Sequence, residues 1–190
     1  MSTAARREPI AVAEYLAGES RSDRKHEFIE GIVYATVGAS NTHNRIATNV
    51  TGLLHGQLRG QPCEVFNADA KVRVRLPTGT RFYYPDASVV CQPNDPNDSF
   101  HDAPVVVVEV ISESTRRTDE HEKREAYTAI DSLQVYVMLE QEAAVAVVYR
   151  RGETGFVRQA FAGGDAVIQL PEIGCALRLA DVYANVTLLR

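Results

Sequence analysis

The chain has 190 residues, 45% hydrophobic and 24% charged, with a formal net charge of −5. These values suit one soluble globular domain over residues 1–190. No stretch reaches the ~20 apolar residues of a membrane span, and the acidity argues against a protein that coats nucleic acid by bulk charge. Local basic patches remain possible, as does an acidic site that takes divalent cations. The N-terminus lacks an apolar signal core, so a cytoplasmic location is expected.

Residues 1–9 read as a flexible lead-in and Ile10 to Leu16 as a short helix, followed by the polar stretch Gly18 to Lys25. Glu27 to Val37 carries strand formers on both sides of Glu30-Gly31, which predicts a tight hairpin. Ser40 or Asn41 caps a helix that Gly60 ends. Within it Ile46, Val50, Leu53, Leu54 and Leu58 follow helical spacing and define one buried face. Ala70 to Leu76 alternates as a strand and turns at Pro77-Thr78-Gly79-Thr80. Phe82 to Cys91 is a second strand region, containing Pro85-Asp86, and Gln92 to Asp102 reads as an acidic loop.

Val105 to Ile111 is a β-branched strand. Thr118 or Asp119 starts a helix to about Ile130, with acids in its first turn as the helix dipole prefers. Strands are expected at Gln134–Leu139, Val145–Arg150, Phe156–Phe161 and Val167–Leu170, and a closing helix at Leu179–Val186. The pattern is a mixed α/β (α+β) domain around a central sheet. Cys63, Cys91 and Cys175 are odd in number, lack a CxxC spacing and sit in apolar settings. They are expected as buried thiols, and a zinc site is disfavoured.

Glu109 interrupts the run Val105-Val106-Val107-Val108-Glu109-Val110-Ile111. Such a run is covered on both faces, and an ionised carboxylate inside it needs a cation, a metal or several donors. A bland alternative is a strand-end glutamate turned to solvent or to an arginine. Asp86 lies 23 residues before it, Lys123 14 residues after it, and Glu27 opens the hairpin. Carboxylates at the ends of neighbouring strands can converge on one hard cation. A lysine at the same point could orient or deprotonate water, or offset charge on a phosphate. Metal-assisted phosphodiester hydrolysis needs that combination.

These residues carry a resemblance. Pro85-Asp86, Glu109 in its apolar strand and a following lysine resemble the PD-(D/E)XK nuclease superfamily, of restriction-endonuclease-like fold. More specifically, roughly residues 10 to 186 resemble the Uma-type endonuclease family. The matching stretches include Glu27-Phe28-Ile29-Glu30-Gly31, Asn41-Thr42-His43-Asn44-Arg45-Ile46-Ala47, Tyr84-Pro85-Asp86-Ala87-Ser88, Val107-Val108-Glu109-Val110-Ile111-Ser112 and Glu122-Lys123. Ser114-Thr115, Asp119, Tyr127 and Leu170-Pro171-Glu172-Ile173-Gly174-Cys175 match further on. The resemblance implies a core of a central mixed β-sheet flanked by helices, with extra C-terminal strands. It also implies Asp86 and Glu109 as ligands for Mg²⁺ or Mn²⁺, with the Val110 carbonyl a third.

In the same way Glu27 completes the site, and Lys123 stands for a lysine moved from the strand to the next helix. The superfamily's usual lysine position holds Ile111 here. Asp119 and Lys123 are four apart, on one face of an α-helix, so Asp119 could orient Lys123. Glu113 replaces a usual proline and adds negative charge beside the site. Ile32 replaces a usual acid and is read as a packing position.

Lys71, Arg73 and Arg75 share one strand face. They form either a stripe that meets phosphates, with Arg81 nearby, or the charged face of an outer strand. His43 lies on the apolar face of its helix, either aimed into the site or a satisfied core-edge histidine. His26, His55, His101 and His121 show no metal spacing and are read as surface residues. Asp69 lines the cleft or merely starts the basic strand. Ser112 and Ser114 lack the elbow of a serine nucleophile.

The expected function is a Mg²⁺-dependent (or Mn²⁺-dependent) endonuclease acting on nucleic acid, DNA rather than RNA, as a homodimer and without a membrane. The alternative is a catalytically silent nucleic-acid-binding or dimerisation module of the same fold.

Overall fold

The computed structural model describes residues 8–36, 38–92, 94–112, 116 and 118–188. Among them the order is α1 (Val12–Glu19), β1 (His26–Ile29), β2 (Ile32–Ala35), α2 (Asn41–Leu58), β3 (Glu64–Asn67), β4 (Lys71–Leu76), β5 (Gly79–Tyr83), β6 (Ala87–Val90), β7 (Phe100–His101) and β8 (Pro104–Ile111). A π-helical segment, Thr118–Lys123, then runs into α3 (Arg124–Thr128). β9 (Val135–Glu140), β10 (Val145–Gly152), β11 (Gly155–Ala162), β12 (Val167–Leu170), β13 (Cys175–Arg178) and α4 (Leu179–Val182) complete the chain.

Several boundaries follow from local chemistry. The β1–β2 hairpin closes on Glu30 and Gly31, both at positive φ (51° and 97°), as a two-residue turn between right-twisted strands requires. Ser40 caps α2 by accepting from the His43 amide at 3.1 Å. Ile46, Val50, Leu54 and Leu58 are the buried stripe of that helix, while Leu53 is partly buried.

Among the described residues two large sheets form the body, and a small β12–β13 sheet packs on the core of the larger one. The larger has the order β11-β10-β9-β8-β6-β3, with β8 and β9 parallel; the smaller has the order β2-β1-β5-β4-β7. The sixfold sheet is covered on one face by α2, β13 and α4, where Val50, Leu54, Val106, Val108 and Leu177 meet. On its other face Val107, Ile111 and Tyr136 pack with Tyr127 of α3 and with Val72, Val74 and Tyr83 of the smaller sheet. The outer face of that smaller sheet is covered by α1 through Tyr15, Phe28, Phe82 and Phe100.

Four expectations need correction. Cys63 and Cys91 are not separate thiols: they are disulfide-bonded, joining the entry of β3 to the exit of β6, and Cys175 is the buried free cysteine. Their settings are apolar, as expected, but antiparallel pairing brings the two opposite each other. Ile32 is not a packing position, since it is 40% exposed on edge strand β2. The loop before β8 holds a short strand, β7, and the region before α4 another, β13. His101 is not a plain surface residue: its ring lies 4.1 Å from that of Phe66 and its Nδ1 is buried without a hydrogen bond.

Candidate active site

Strand β8 carries Glu109 between two covered faces. Val106, Val108 and Val110 belong to the α2 side, and Val107 and Ile111 to the α3 side. The two-residue period of a strand puts Glu109 with the second set, and it is 4% exposed. A carboxylate so placed persists only if donors replace its water. Lys123 Nζ, at 3.1 Å, and the Tyr127 hydroxyl, at 3.0 Å, both meet Oε1. Burial, reinforced by the charge of Glu109, holds the Tyr127 phenol well above its ordinary pKa, so it remains a protonated donor. The solvent-facing alternative for Glu109 is therefore excluded.

Lys123 ends the π-helical segment and is itself buried, at 8% exposure. Its Nζ also lies 3.3 Å from Glu27 Oε1 and 5.8 Å from the centre of the Tyr83 ring. Glu27 stands on β1, so this one ammonium ties the smaller sheet to the larger. Tyr83 in turn donates to Glu122 at 3.0 Å, and burial pushes its phenol pKa far up. Thr118–Lys123 winds as a π-helix where the sequence predicts an α-helix. The Asp119 side chain lies outside the described residues, as do Glu113, Ser114 and Thr115.

Asp86 immediately precedes β6. Ala87 pairs with Val108, which brings Asp86 alongside Glu109 and Val110. Its Oδ2 accepts from the Val110 amide at 2.7 Å and lies 3.2 Å from His43 Nε2. Among the described residues no donor reaches Oδ1, and the side chain is 12% exposed. One oxygen is fixed and the other is available. Asp86 also borders a groove of about 460 Å³ between α2 and β3, lined by Asn44, Thr48, Thr51 and His55. His43 thus faces the site from the first turn of α2, with its Nδ1 buried and without a hydrogen bond. Of the two readings of this histidine, the contact with Asp86 is the one present.

The structure therefore brings together Glu27, Asp86, Glu109, Lys123 and His43. What Val110 visibly contributes is its amide, held by Asp86, while its side chain enters the α2 core. The basic stripe is placed elsewhere. Val72 and Val74 face α3, so alternation sends Lys71, Arg73 and Arg75 to the α1 side of the smaller sheet. Arg73 grips Asp102 through two bonds of 2.6 Å and Arg75 approaches the same carboxylate at 3.2 Å. Lys71 is 5% exposed and stacks its ammonium 5.3 Å over Tyr84. Arg81 is held by Glu30 at 2.6 Å, and Asp69, 73% exposed, by Lys25 at 2.6 Å.

Tyr127 matches the family in sequence, but its role does not show there: its hydroxyl shares Glu109 with Lys123. Its signal is a spacing: it follows Lys123 by four residues, across the junction where the π-helical segment becomes α-helical.

These residues suit a hard divalent cation better than zinc. The donors are carboxylate oxygens, Asp86 keeps one oxygen without a donor among the described residues, and two further carboxylates, Glu27 and Glu109, meet Lys123. No three His, Cys, Asp or Glu side chains among the described residues already form a metal-holding group. Magnesium tolerates this, since it is commonly bound through one or two carboxylates with water and substrate phosphate completing its shell.

A family model described as "Uma2: Putative restriction endonuclease" matches residues 12–180. The chain belongs to this Uma2 family. Two uncharacterized proteins of Synechocystis sp. are similar to this Uma2 member. One, slr1290, is 33% identical over 148 residues, covering 77% of this chain and 76% of its own. The other, sll1609, is 31% identical over 135 residues, covering 70% and 75%. A solved structure, described as a putative nuclease belonging to DUF820 from Anabaena variabilis, superposes with a TM-score of 0.73 at 18% identity, covering 93% of this chain and 98% of its own. The fold of this Uma2 member is thereby restriction-endonuclease-like, a mixed α+β core with added C-terminal strands. Among the described residues no helix is long and apolar enough to cross a membrane.

Proposed function

We propose that this Uma2 member is a metal-dependent endonuclease that hydrolyses phosphodiester bonds, DNA rather than RNA. The observation that carries the reading is Lys123 Nζ held between Glu109 Oε1 at 3.1 Å and Glu27 Oε1 at 3.3 Å, beside an Asp86 that keeps one oxygen available. Asp86 and Glu109, with the Val110 carbonyl, are the candidate ligands for Mg²⁺ or Mn²⁺. When bound, such a cation lowers the pKa of its water and offsets charge on the phosphate.

The chain's own residues do the rest. The Val110 amide and His43 hold Asp86 Oδ2, so Oδ1 is the atom presented. Tyr127 keeps its proton and fixes Glu109. Lys123 brings a positive charge to the site that can offset charge on a phosphate, with its ammonium held by Glu109 and Glu27. DNA is favoured because the family is described as one of restriction endonucleases, and by the same analogy a homodimer is proposed, to be checked by sedimentation.

Asp86→Asn and Glu109→Gln each lower Mg²⁺-dependent cleavage by at least about 100-fold, by analogy with the loss of a transition-state contact, with circular dichroism unchanged. Cleavage by both variants at the wild-type rate would sink the reading. One observation favours the silent module instead: no three-residue ligand group is preassembled among the described residues. Calorimetry decides between them. Mn²⁺ binding that is lost in Asp86→Asn supports the enzyme, and no binding to wild type supports the module.

A further inference from the structure

Among the described residues three large apolar side chains are conspicuously exposed: Ile32 at 40%, Tyr34 at 47% and Val157 at 58%. Val157 stands alone on β11, the far edge of the larger sheet. Ile32 and Tyr34 differ, because they are two apart on edge strand β2 and so share one face. The hairpin register identifies that face. Tyr34 is directly opposite Glu27, and Ile32 opposite Ile29. The neighbouring pairs, Phe28 with Val33, face α1 instead. Tyr34 is therefore on the Glu27 side of the sheet, with Cβ atoms about 5 Å apart as cross-strand partners are. Glu27 is the carboxylate that holds Lys123.

Exposure of a tyrosine at this edge has no internal explanation. Among the described residues Tyr34 makes no ring contact, ion pair or hydrogen bond, in contrast to Tyr83, Tyr127 and Tyr136, whose rings pack in sequence behind the site at 5.5 Å and 5.4 Å between centres. Its chemistry is that of a flat, half-exposed π-face one strand beyond the candidate lysine. The basic stripe, which would favour a duplex read through its phosphates, lies on the other side of this sheet with Arg73 and Arg75 engaged by Asp102. A phosphate held at Lys123 would place the base of the same or the adjoining nucleotide over β2. Stacking on an aromatic ring needs that base out of its own helix, and it is tolerant of base identity.

We propose that Tyr34, flanked by Ile32, is a stacking platform for a nucleobase next to the scissile phosphate. The preferred substrate is accordingly nucleic acid with an unpaired nucleotide at that point. This rests on the nuclease reading of the Glu27–Lys123–Glu109 centre and adds to it the class of strand that is taken.

The test is binding and cleavage by the full chain with three oligonucleotides: single-stranded, fully paired, and paired with one unpaired nucleotide. Each carries 2-aminopurine at the tested position. Binding is measured in chelator, so that no cutting intervenes, and cleavage with Mg²⁺. Wild type is expected to prefer the two substrates that offer an unpaired base and to quench 2-aminopurine on binding. Tyr34→Ala weakens their binding by about 5- to 100-fold, the usual loss of one base–aromatic stack, and abolishes the quenching. Tyr34→Phe, which keeps the ring, restores both, and Val157→Ala changes neither.

The proposal is overturned if Tyr34→Ala binds and quenches like wild type, or if wild type binds none of the three. It is equally overturned if the substitution acts only by dissociating a dimer in sedimentation. Failure of the nuclease reading looks different: ring-dependent binding without any Mg²⁺-dependent cutting removes the enzyme and keeps the platform. Cutting that requires Asp86 and ignores Tyr34 does the reverse.

Discussion

Glu109 and Lys71 are both charged groups in dry surroundings, and they differ in what meets them. Glu109 has Lys123 and Tyr127 within 3.1 Å, so its charge is compensated. Lys71 has the Tyr84 ring at 5.3 Å and no ion pair among the described residues. Burial lowers its pKa, against a smaller opposing pull from Glu19. The sign follows from linkage. A lysine whose folded pKa is depressed binds fewer protons folded than unfolded, so stability rises as pH climbs toward the unfolded value near 10.4. At neutral pH the cost of burying the charge is fully present. Lys71→Met is therefore expected to raise stability at pH 7 by roughly 1 kcal/mol, with the advantage shrinking as pH rises; melts at pH 7 and pH 10 check it. A loss at pH 7 would mean that the ammonium holds the fold together. Cleavage by this variant at the wild-type rate would also separate Lys71 from the substrate path.

At the scale of elements, short-range chemistry was the readable part. The hairpin at Glu30-Gly31, the Ser40 cap and the four-residue buried stripe of α2 all follow from local residue types. Gly31 shows how sharply such a position is defined. Its φ is +97°, and a Cβ there would stand 2.5 Å from Pro9 Cβ, where the Ile10 amide donates to the Gly31 carbonyl at 2.9 Å. Gly31→Ala should cost about 1–3 kcal/mol, read in denaturant unfolding. Gly56, in the interior of α2 with nothing within 4 Å of a would-be Cβ, should behave oppositely. Gly56→Ala is expected to stabilise by about 0.5–1 kcal/mol. What local reading missed is equally specific. Thr118 to Lys123 has acids and a periodicity that suit an α-helix, yet it winds as π. No residue type marks that change; packing of Lys123 and Tyr127 on one carboxylate from two windings of helix accompanies it.

At the scale of the molecule, the described residues form two large sheets joined through α3 and the Lys123 contacts, a small β12–β13 sheet, and a covalent staple at one edge. Cys63–Cys91 ties β3, the outermost strand of the larger sheet, to β6 across 28 residues. A bridge of that span removes unfolded-chain entropy worth about 2–4 kcal/mol. Reduction, or Cys91→Ser, should lower the melting temperature accordingly, and a melt insensitive to reductant would contradict the bond. Cys175, buried and with its thiol pKa raised by burial, should stay unreactive in the native protein.

The strand faces, the hairpin, the capped helix, the apolar run around Glu109 and the family are all legible in the residues alone, because each depends on residue types close together along the chain. Folding in three dimensions is what brings Glu27 of one sheet to Lys123, and Lys123 to Glu109 of the other, engages Arg73 and Arg75 with Asp102 on the far side, and sets two cysteines 28 residues apart opposite each other. Those meetings are set by strand order and register across long loops. The two-residue and 3.6-residue periods that make elements legible are the same for every such order.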